Sequence, residues 1–399
     1  MKILVANLGS TSFKYRLFDM ADERQLARGG IERIGASESP CFAEVGGKRH
    51  ELQAKVPDHV EAVRRCLAQL TDPEHGCLKN PSEVAAIGFK AVHGGRVSGV
   101  QRVTDDVLAA MEEMNLVAPA HNPPYIAAMR QLRERLPEIP LVAAFETGFH
   151  QTIPDRNRYY AIPWSWVQQH QVRRWGFHGA SHAYIARRAA ELWRQEGRNS
   201  AGLRIISCHL GGSSSLTAIR DGQSAATSMG MSPQTGLLQN NRVGDFDPFA
   251  LTHIMERTGL ALGELLKQLS SQGGLLGLSG KSGDVRDLEE AAAAGDVRSR
   301  MALDVFIANI RQYLGWMLVE LGGADMLVFT GGIGENAVGI RAGVCANLGE
   351  LGIELDDQRN RATRTEGDIS SAASKTRVWI IPTNEEIVVA RHVQKLLQG

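Results

Sequence analysis

An apolar strand that runs into a Gly/Ser turn and out into a second strand occurs twice in this chain, half its length apart. No other feature restricts the fold as much. In the first copy, Met1 to Asn7 reads as a buried strand and Gly9-Ser10-Thr11-Ser12 as a turn. Phe13 to Phe18 then resumes as β, with Lys14 and Arg16 alternating against Tyr15 and Leu17. The second copy runs from Arg204 through His209-Leu210-Gly211-Gly212-Ser213 to Ala218, and Leu210-Gly211 follows Leu8-Gly9 by 202 positions in a chain of 399. Two readings are open. Buried strands with Gly/Ser turns can match by coincidence, or the chain holds two similar domains, each offering a phosphate-binding hairpin to a shared cleft. In both copies the turn leads into a strand, unlike a Walker loop, which leads into a helix.

Around the hairpins the pattern is mixed. Helices are expected at about 58–70, 105–115, 124–136 and 183–196, and strands at Val84–Phe89 and Leu141–Phe145. Asp247-Pro248 is a helix start, with an acid at the cap and Pro at the first helical position. Arg298 to Leu321 is a long amphipathic helix carrying Leu303, Phe306, Ile307, Ile310, Leu314, Met317, Leu318 and Leu321 on one face. Met326 to Phe329 and Arg377 to Ile381 are strands, and Glu385 opens a closing helix. Strands and helices alternating throughout argue for an α/β fold.

Composition excludes several classes. Lys+Arg and Asp+Glu are equal at 44 each, so net charge implies neither a nucleic-acid partner nor an acidic membrane. The five cysteines are scattered, with no CxxC or Cys/His ligand spacing, as in a reduced cytoplasmic protein. The apolar run ending at Asn7 is too short for a signal peptide, and no stretch reaches membrane-spanning length.

The chemistry-bearing motifs resemble, in order along the chain, those of the acetate/propionate kinase family. They are Asn7-Leu8-Gly9-Ser10-Thr11-Ser12-Phe13-Lys14, His93-Gly94-Gly95, Ala118-Pro119-Ala120-His121-Asn122-Pro123 and Phe149-His150-Gln151-Thr152-Ile153-Pro154. The series continues with Arg173-Arg174-Trp175-Gly176-Phe177-His178-Gly179, His209-Leu210-Gly211, Thr227-Ser228-Met229-Gly230, Arg242-Val243-Gly244-Asp245, Gly331 to Asn336, and Pro382-Thr383-Asn384-Glu385-Glu386. The resemblance implies two duplicated actin-like (ribonuclease H-like) α/β domains around an interdomain nucleotide cleft. Residues 1–148 with 385–399 would form the first, and 149–384 the second, which binds nucleotide and dimerises. The partners implied are ATP/ADP and a small carboxylic acid, with a second copy of the chain in a homodimer.

The residues also make sense without the name. ATP and a carboxylate acceptor repel each other, so phosphoryl transfer between them is mostly positioning and charge neutralisation. Gly/Ser turns can cradle phosphates with backbone N–H groups, and Lys14 could supply a point charge or be a solvated lysine. The acceptor is already ionised at pH 7, so no general base is needed to create it. By the resemblance, Glu146, His178 and Arg242 are catalytic. Lys90, Val92, Ala120, His121, Phe177 and Pro233 line the acid site. Lys14, His209, Leu210, Gly211, Gly212, Ser213, Asp284, Val285, Arg286, Gly332, Ile333, Gly334, Glu335 and Asn336 meet the nucleotide. Asn7 and Glu385, with Glu146, handle Mg²⁺, for which Mn²⁺ can substitute. Glu385 as a helix-dipole carboxylate and Asp284–Arg286 as a surface ion pair are the plain structural alternatives.

This chain departs from the family where it matters. Lys90 stands for the usual Arg, Glu146 for Asp, Gly212-Ser213 for Asn-Gly and Ala120 for Leu. Lysine lacks the bidentate fork of arginine. Ala120 opens space for roughly three carbons. Three functions follow: an acetate or propionate kinase with compensating changes, a kinase for a longer or bulkier carboxylate, or a nucleotide-binding regulatory homologue with weak catalysis.

Overall fold

The computed structural model describes residues 1–399 except Ser10 and Ala120. The chain divides into two compact units, Met1–Gly148 with Asn384–Gly399, and Phe149–Thr383.

The first unit is an eight-stranded sheet. Its strands are β1 (Lys2–Leu8), β2 (Phe13–Asp19), β3 (Arg24–Ile31), β4 (Ser39–Val45), β5 (Lys48–Ala54), β6 (Val84–Ala91), β7 (Val100–Arg102) and β8 (Leu141–Phe145). They lie in the order β5-β4-β3-β2-β1-β6-β8-β7. β1 to β5 form an antiparallel meander, β1, β6 and β8 are parallel, and β7 runs antiparallel to β8. β2 alternates as the sequence suggests: Phe13, Tyr15 and Leu17 are buried while Lys14 is exposed. Their buried face joins helices His59–Leu70 and Asn122–Arg135 in one core. Asp58 caps the first of these by accepting from the Glu61 N–H at 2.9 Å.

The C-terminal helix, Glu385–Gln398, returns to this sheet. It approaches β6 so closely that a Cβ on Gly88 would lie 2.7 Å from Val393 Cγ2. Asn384 caps it through the Ile387 N–H, and Glu385 and Glu386 occupy its first turn, where the helix dipole favours acids.

The second unit is a six-stranded sheet of β9 (Arg204–Leu210), β10 (Ser214–Arg220), β11 (Gln223–Thr227), β12 (Met326–Thr330), β13 (Gly367–Asp368) and β14 (Arg377–Ile380). The order is β11-β10-β9-β12-β14-β13. β9, β10 and β11 form an antiparallel meander, β9, β12 and β14 are parallel, and β13 is antiparallel to β14. This repeats β3-β2-β1-β6-β8-β7 strand for strand, in order and sense. Coincidence between two hairpins does not produce that, so the fold is a duplication.

The long helix is Val297–Leu321, with Leu303, Phe306, Ile310, Leu314, Met317 and Leu321 buried in the core of this unit. Ile307 and Leu318 flank that stripe, half-buried. Asp296 caps its start, accepting from the Ser299 N–H at 2.7 Å, and Gly322 ends it at φ +66°.

Three expectations need correction. Strands and helices do not alternate throughout, because β1 to β5 follow one another with no helix between them. Pro248 is the cap of helix Phe249–Thr258 rather than its first residue, and Asp247 accepts from the Phe249 N–H at 2.9 Å. Gly332 to Asn336, which its glycines between a strand and a helix mark as a turn in the sequence, is most of a short helix, Gly331–Asn336. Among the described residues no helix is long and apolar enough to cross a membrane, and all five cysteines are unbridged.

Candidate active site

Each unit assembles its own group of polar side chains at the hairpin the sequence singles out.

In the first unit, Asn7 on β1 pairs in register with Lys14 on β2, so both project from one face of the sheet. Both are exposed. Among the described residues the ion pair of Lys14 is a loose one with Glu32 at 4.0 Å, both side chains mostly in water, which contributes little. The amide of Asn7 is oriented by Tyr125. The buried phenol donates to Asn7 Oδ1 at 2.9 Å and accepts from the Leu8 N–H at 3.1 Å. Tyr125 is a site neighbour that sequence reading missed. It sits on a helix face like any core aromatic, 118 residues from Asn7.

Lys90, on β6, forms an ion pair with Glu385 at the first turn of the C-terminal helix. Burial works against the Lys90 ammonium, but the carboxylates of Glu385 and Glu146 outweigh it and hold its pKa above the ordinary lysine range. Glu146 follows β8, is almost fully buried, and its N–H donates to the Ala91 carbonyl at 2.8 Å. The fields of Glu146 and Glu385 therefore both reach the Lys90 ammonium, and both reach Tyr125, which holds Asn7. Val92 is half-buried just beyond β6, and His121 stands at the cap of helix Asn122–Arg135. Ala120 lies outside the described residues.

The second unit gathers its groups on the β9–β10 hairpin. His178 holds a left-handed backbone at φ +56° where helix Gly179–Gln195 begins, a conformation unusual for a residue with a Cβ. Its ring stacks on His209 of β9 with centroids 4.2 Å apart and planes at 25°. His178 Nδ1 is 2.8 Å from Ser215 Oγ on β10, and His209 Nδ1 is 2.8 Å from Ser181 Oγ. Arg242 is half-buried and directs Nη1 to Gln239 Oε1 at 3.2 Å and Ser213 Oγ at 3.5 Å. Those partners are neutral, and among the described residues no carboxylate forms an ion pair with Arg242. Burial pushes its pKa down, yet a guanidinium stays charged.

Gln239 is the second residue that sequence reading missed. It accepts from Ser213 Oγ at 2.8 Å as well as from Arg242, and it donates to the Pro233 carbonyl at 2.9 Å. It thereby ties together three residues the sequence nominates separately. Leu210 is buried, and Phe177 is too, its carbonyl 2.9 Å from His150 Nε2. Gly211, Gly212 and Ser213 form the turn between β9 and β10.

Gly331 links this hairpin to the short helix that follows β12. At φ +78°, a Cβ there would lie 2.7 Å from the Leu210 carbonyl oxygen. The Gly331 N–H donates to Glu335 Oε1 at 2.9 Å, Asn336 Nδ2 to the Gly332 carbonyl at 2.9 Å, and buried Arg341 to the Gly334 carbonyl at 2.9 Å. Gly332 is exposed and Ile333 half-buried. Gly331→Ala is expected to destabilise the chain by about 2–3 kcal/mol, read from urea unfolding. Asp284 caps helix Val285–Ala293 and forms an ion pair with Arg286 at 2.6 Å, while the Val285 side chain is buried in the core. Val285 as a whole is 3% exposed, so of these three residues it offers the least surface.

Below the stacked pair lie two buried imidazoles. Burial lowers the His150 pKa to about 4, although the hydrogen bond to the Phe177 carbonyl pulls upward, and burial also holds His182 well below the ordinary histidine value. The unfolded chain takes up a proton near the ordinary histidine value of 6.5, which the folded His150 refuses until about pH 4. Stability is thus lost as pH falls through that window, by about 3 kcal/mol from His150 alone. Urea midpoints should drop steeply between pH 6.5 and 4.5, and His150→Gln should flatten the decline.

The whole chain compares closely with known proteins. The Acetokinase family profile matches residues 2–391. The chain belongs to the acetokinase family. It is 43% identical to the acetate kinase of Natranaerobius thermophilus and 42% identical to that of Moorella thermoacetica, each over the full length of both chains. Among solved structures, Porphyromonas gingivalis acetate kinase superposes with a TM-score of 0.89 at 38% identity, covering 99% of each chain. A propionate kinase from Francisella tularensis superposes at 0.88 with 32% identity, covering 98% of each. These acetokinase-family structures share the actin-like fold that the duplicated sheets display.

Proposed function

We propose that this chain transfers the γ-phosphoryl group of ATP to the carboxylate of acetate or propionate, reversibly, giving an acyl phosphate and ADP. The observation that carries this reading is the β9–β10 hairpin of an acetokinase-family chain. Around one Gly/Ser turn it collects Arg242, uncompensated by any acid among the described residues, and the stacked pair His178 and His209.

The carboxylate oxygen attacks phosphorus in line and the bond to the ADP oxygen breaks. The acceptor is ionised before it binds, so no side chain has to remove a proton. What the protein must supply is charge and alignment. Arg242 offers a planar fork to the equatorial phosphoryl oxygens, and His178 adds a hydrogen-bond donor to them. Lys14, the turn Gly211-Gly212-Ser213 and His209 hold the phosphate tail. Gly332-Ile333-Gly334-Glu335-Asn336 and Asp284-Val285-Arg286 hold the nucleoside. Lys90 neutralises the acid's carboxylate, and family resemblance assigns Val92 and His121 of the first unit, and Phe177 and Pro233 of the second, to its acyl group.

The donor set in the first unit fits a hard divalent cation. Two carboxylates, Glu146 and Glu385, and the amide oxygen of Asn7 belong to one electrostatic cluster. Among the described residues no group of three or more His, Cys, Asp or Glu side chains forms a complete cage. Mg²⁺ takes a few protein oxygens and completes its shell with water and phosphate, so two carboxylates and an amide oxygen suit it. Bound there, Mg²⁺ would neutralise charge on the phosphate oxygens, and Mn²⁺ could replace it.

Helices Phe249–Thr258, Leu262–Ser271 and Val297–Leu321 leave Phe249, Leu262, Leu266 and Met301 exposed. An apolar set of this kind supports a homodimer joined through the second unit. Light scattering should give twice the chain mass.

Trapping the acyl phosphate with hydroxylamine tests the reading, using ATP, Mg²⁺ and straight acids of two to six carbons. The expected result is a maximum at two or three carbons. A maximum at longer acids transfers the assignment to a bulkier carboxylate, and ATP binding without any hydroxamate removes it.

A further inference from the structure

We propose that a chain of hydroxyl–imidazole hydrogen bonds, Ser207–His182–Ser215–His178, locks His178 in the tautomer that carries its proton on Nε2. Ser207, His182 and Ser215 are then positioning residues for phosphoryl transfer. The inference rests on the reading that His178 meets the transferring group.

The chain has a direction, and Ser207 sets it. Its hydroxyl is fully buried, and among the described residues its hydrogen-bond partner is His182 Nδ1 at 2.9 Å. A buried hydroxyl hydrogen left unpaired is costly, so Ser207 donates to that nitrogen. His182 Nδ1 is then an acceptor. His182 is itself fully buried and neutral, so its single proton sits on Nε2. Nε2 lies 2.8 Å from Ser215 Oγ and donates to it. Ser215, having accepted, passes its own hydrogen to His178 Nδ1 at 2.8 Å. His178 Nδ1 is therefore an acceptor too, and the neutral ring keeps its proton on Nε2.

The neighbours obey the same rule. All four imidazoles of this group have Nδ1 beside a serine hydroxyl: Ser207 at His182, Ser215 at His178, Ser181 at His209 and Ser224 at His150. In His150 the tautomer is fixed independently, because Nε2 faces the Phe177 carbonyl at 2.9 Å and can only donate there. Nδ1 must then accept from Ser224 at 2.9 Å. Bonds aligned in one direction polarise one another.

The consequence is chemical. A phosphoryl oxygen requires a donor. With Nδ1 committed to Ser215, His178 meets a ligand through Nε2, as an N–H rather than a lone pair. No protonation of the ring is needed, which suits a ring stacked 4.2 Å from a second imidazole. The serines and His182 are all buried, so they touch no substrate themselves.

The test uses the full chain labelled with ¹⁵N-histidine. Two-bond ¹H–¹⁵N correlation reads each tautomer, and His178 is assigned by the signals missing in His178→Gln. Wild type should show a protonated Nε2 and a bare Nδ1 at His178. Ser215→Ala should leave a mixture of tautomers and lower kcat about tenfold, with both KM values within about twofold. Ser207→Ala, one link further away, should give the same two signatures if Ser215→Ala misfolds. In a His178→Gln background, whose amide N–H has no tautomer to set, Ser207→Ala should cost nothing more. A wild-type His178 protonated on Nδ1 overturns the proposal, as do serine variants with an unchanged tautomer and kcat. A His178→Ala variant of undiminished kcat would instead sink the reading that His178 meets the phosphoryl group.

Discussion

Replacing Arg242 by alanine is expected to lower kcat about a thousandfold while the KM for ATP changes only a few fold. The side chain is half-buried and held by the neutral oxygens of Gln239 and Ser213. Its charge is thus kept for an anion rather than spent on a neighbouring acid. An interaction realised only as charge spreads over the transferring phosphoryl group appears in kcat, not in ground-state binding. Arg242→Lys keeps the charge but loses the planar fork, so it should recover only a small part of the rate. Gln239→Ala, which removes the acceptor that aims the guanidinium, should fall between wild type and Arg242→Lys. Steady-state kinetics of the three variants check the order. A selective rise in KM for ATP, with kcat intact, would make Arg242 a nucleotide-binding residue instead.

Glu385→Gln should lower kcat about a hundredfold and raise the Mg²⁺ concentration for half-saturation about tenfold. Glu385 has two tasks in this reading, as a cation ligand and as the partner of Lys90. The amide keeps the shape and the helix N-terminus but loses the charge. Lys90, whose burial is offset chiefly by Glu385, then relies mainly on Glu146. Lys90→Met makes the opposite change. It should raise the KM for the carboxylate and leave the Mg²⁺ requirement close to wild type. If both variants shift the carboxylate KM and neither shifts the Mg²⁺ requirement, Glu385 serves only to hold Lys90. Activity titrations against Mg²⁺ and acetate separate these outcomes.

The sequence shows the frame of this protein wherever apolar periodicity is strong. β1, β2 and the helix at Val297–Leu321 follow directly from alternation and from i, i+3, i+4 spacing. β3 to β5 were not legible. β5 is KRHELQA, an edge strand largely exposed, with no apolar face to betray it. Gly29-Gly30 in β3 looks like a turn, but a Cβ on Gly29 would meet Tyr15 Oη at 2.4 Å, so glycine there marks close approach inside a sheet.

At the site, the hairpins and their charged residues stand out because Gly/Ser turns and isolated cations are unusual locally. The residues that orient them do not. Tyr125, Gln239, His182 and Ser215 read as ordinary core or loop residues until long-range pairing brings them together. Lys90 and Glu385 were nominated separately for an acid and a metal, and only the fold, across 295 residues, shows them paired.

The most direct test follows phosphorus by ³¹P NMR, with the purified chain mixed with ATP, Mg²⁺ and acetate or propionate. The account predicts an acyl phosphate resonance growing in step with ADP, absent when the acid is omitted. Inorganic phosphate released at the same rate with and without the acid, and no acyl phosphate, would contradict it.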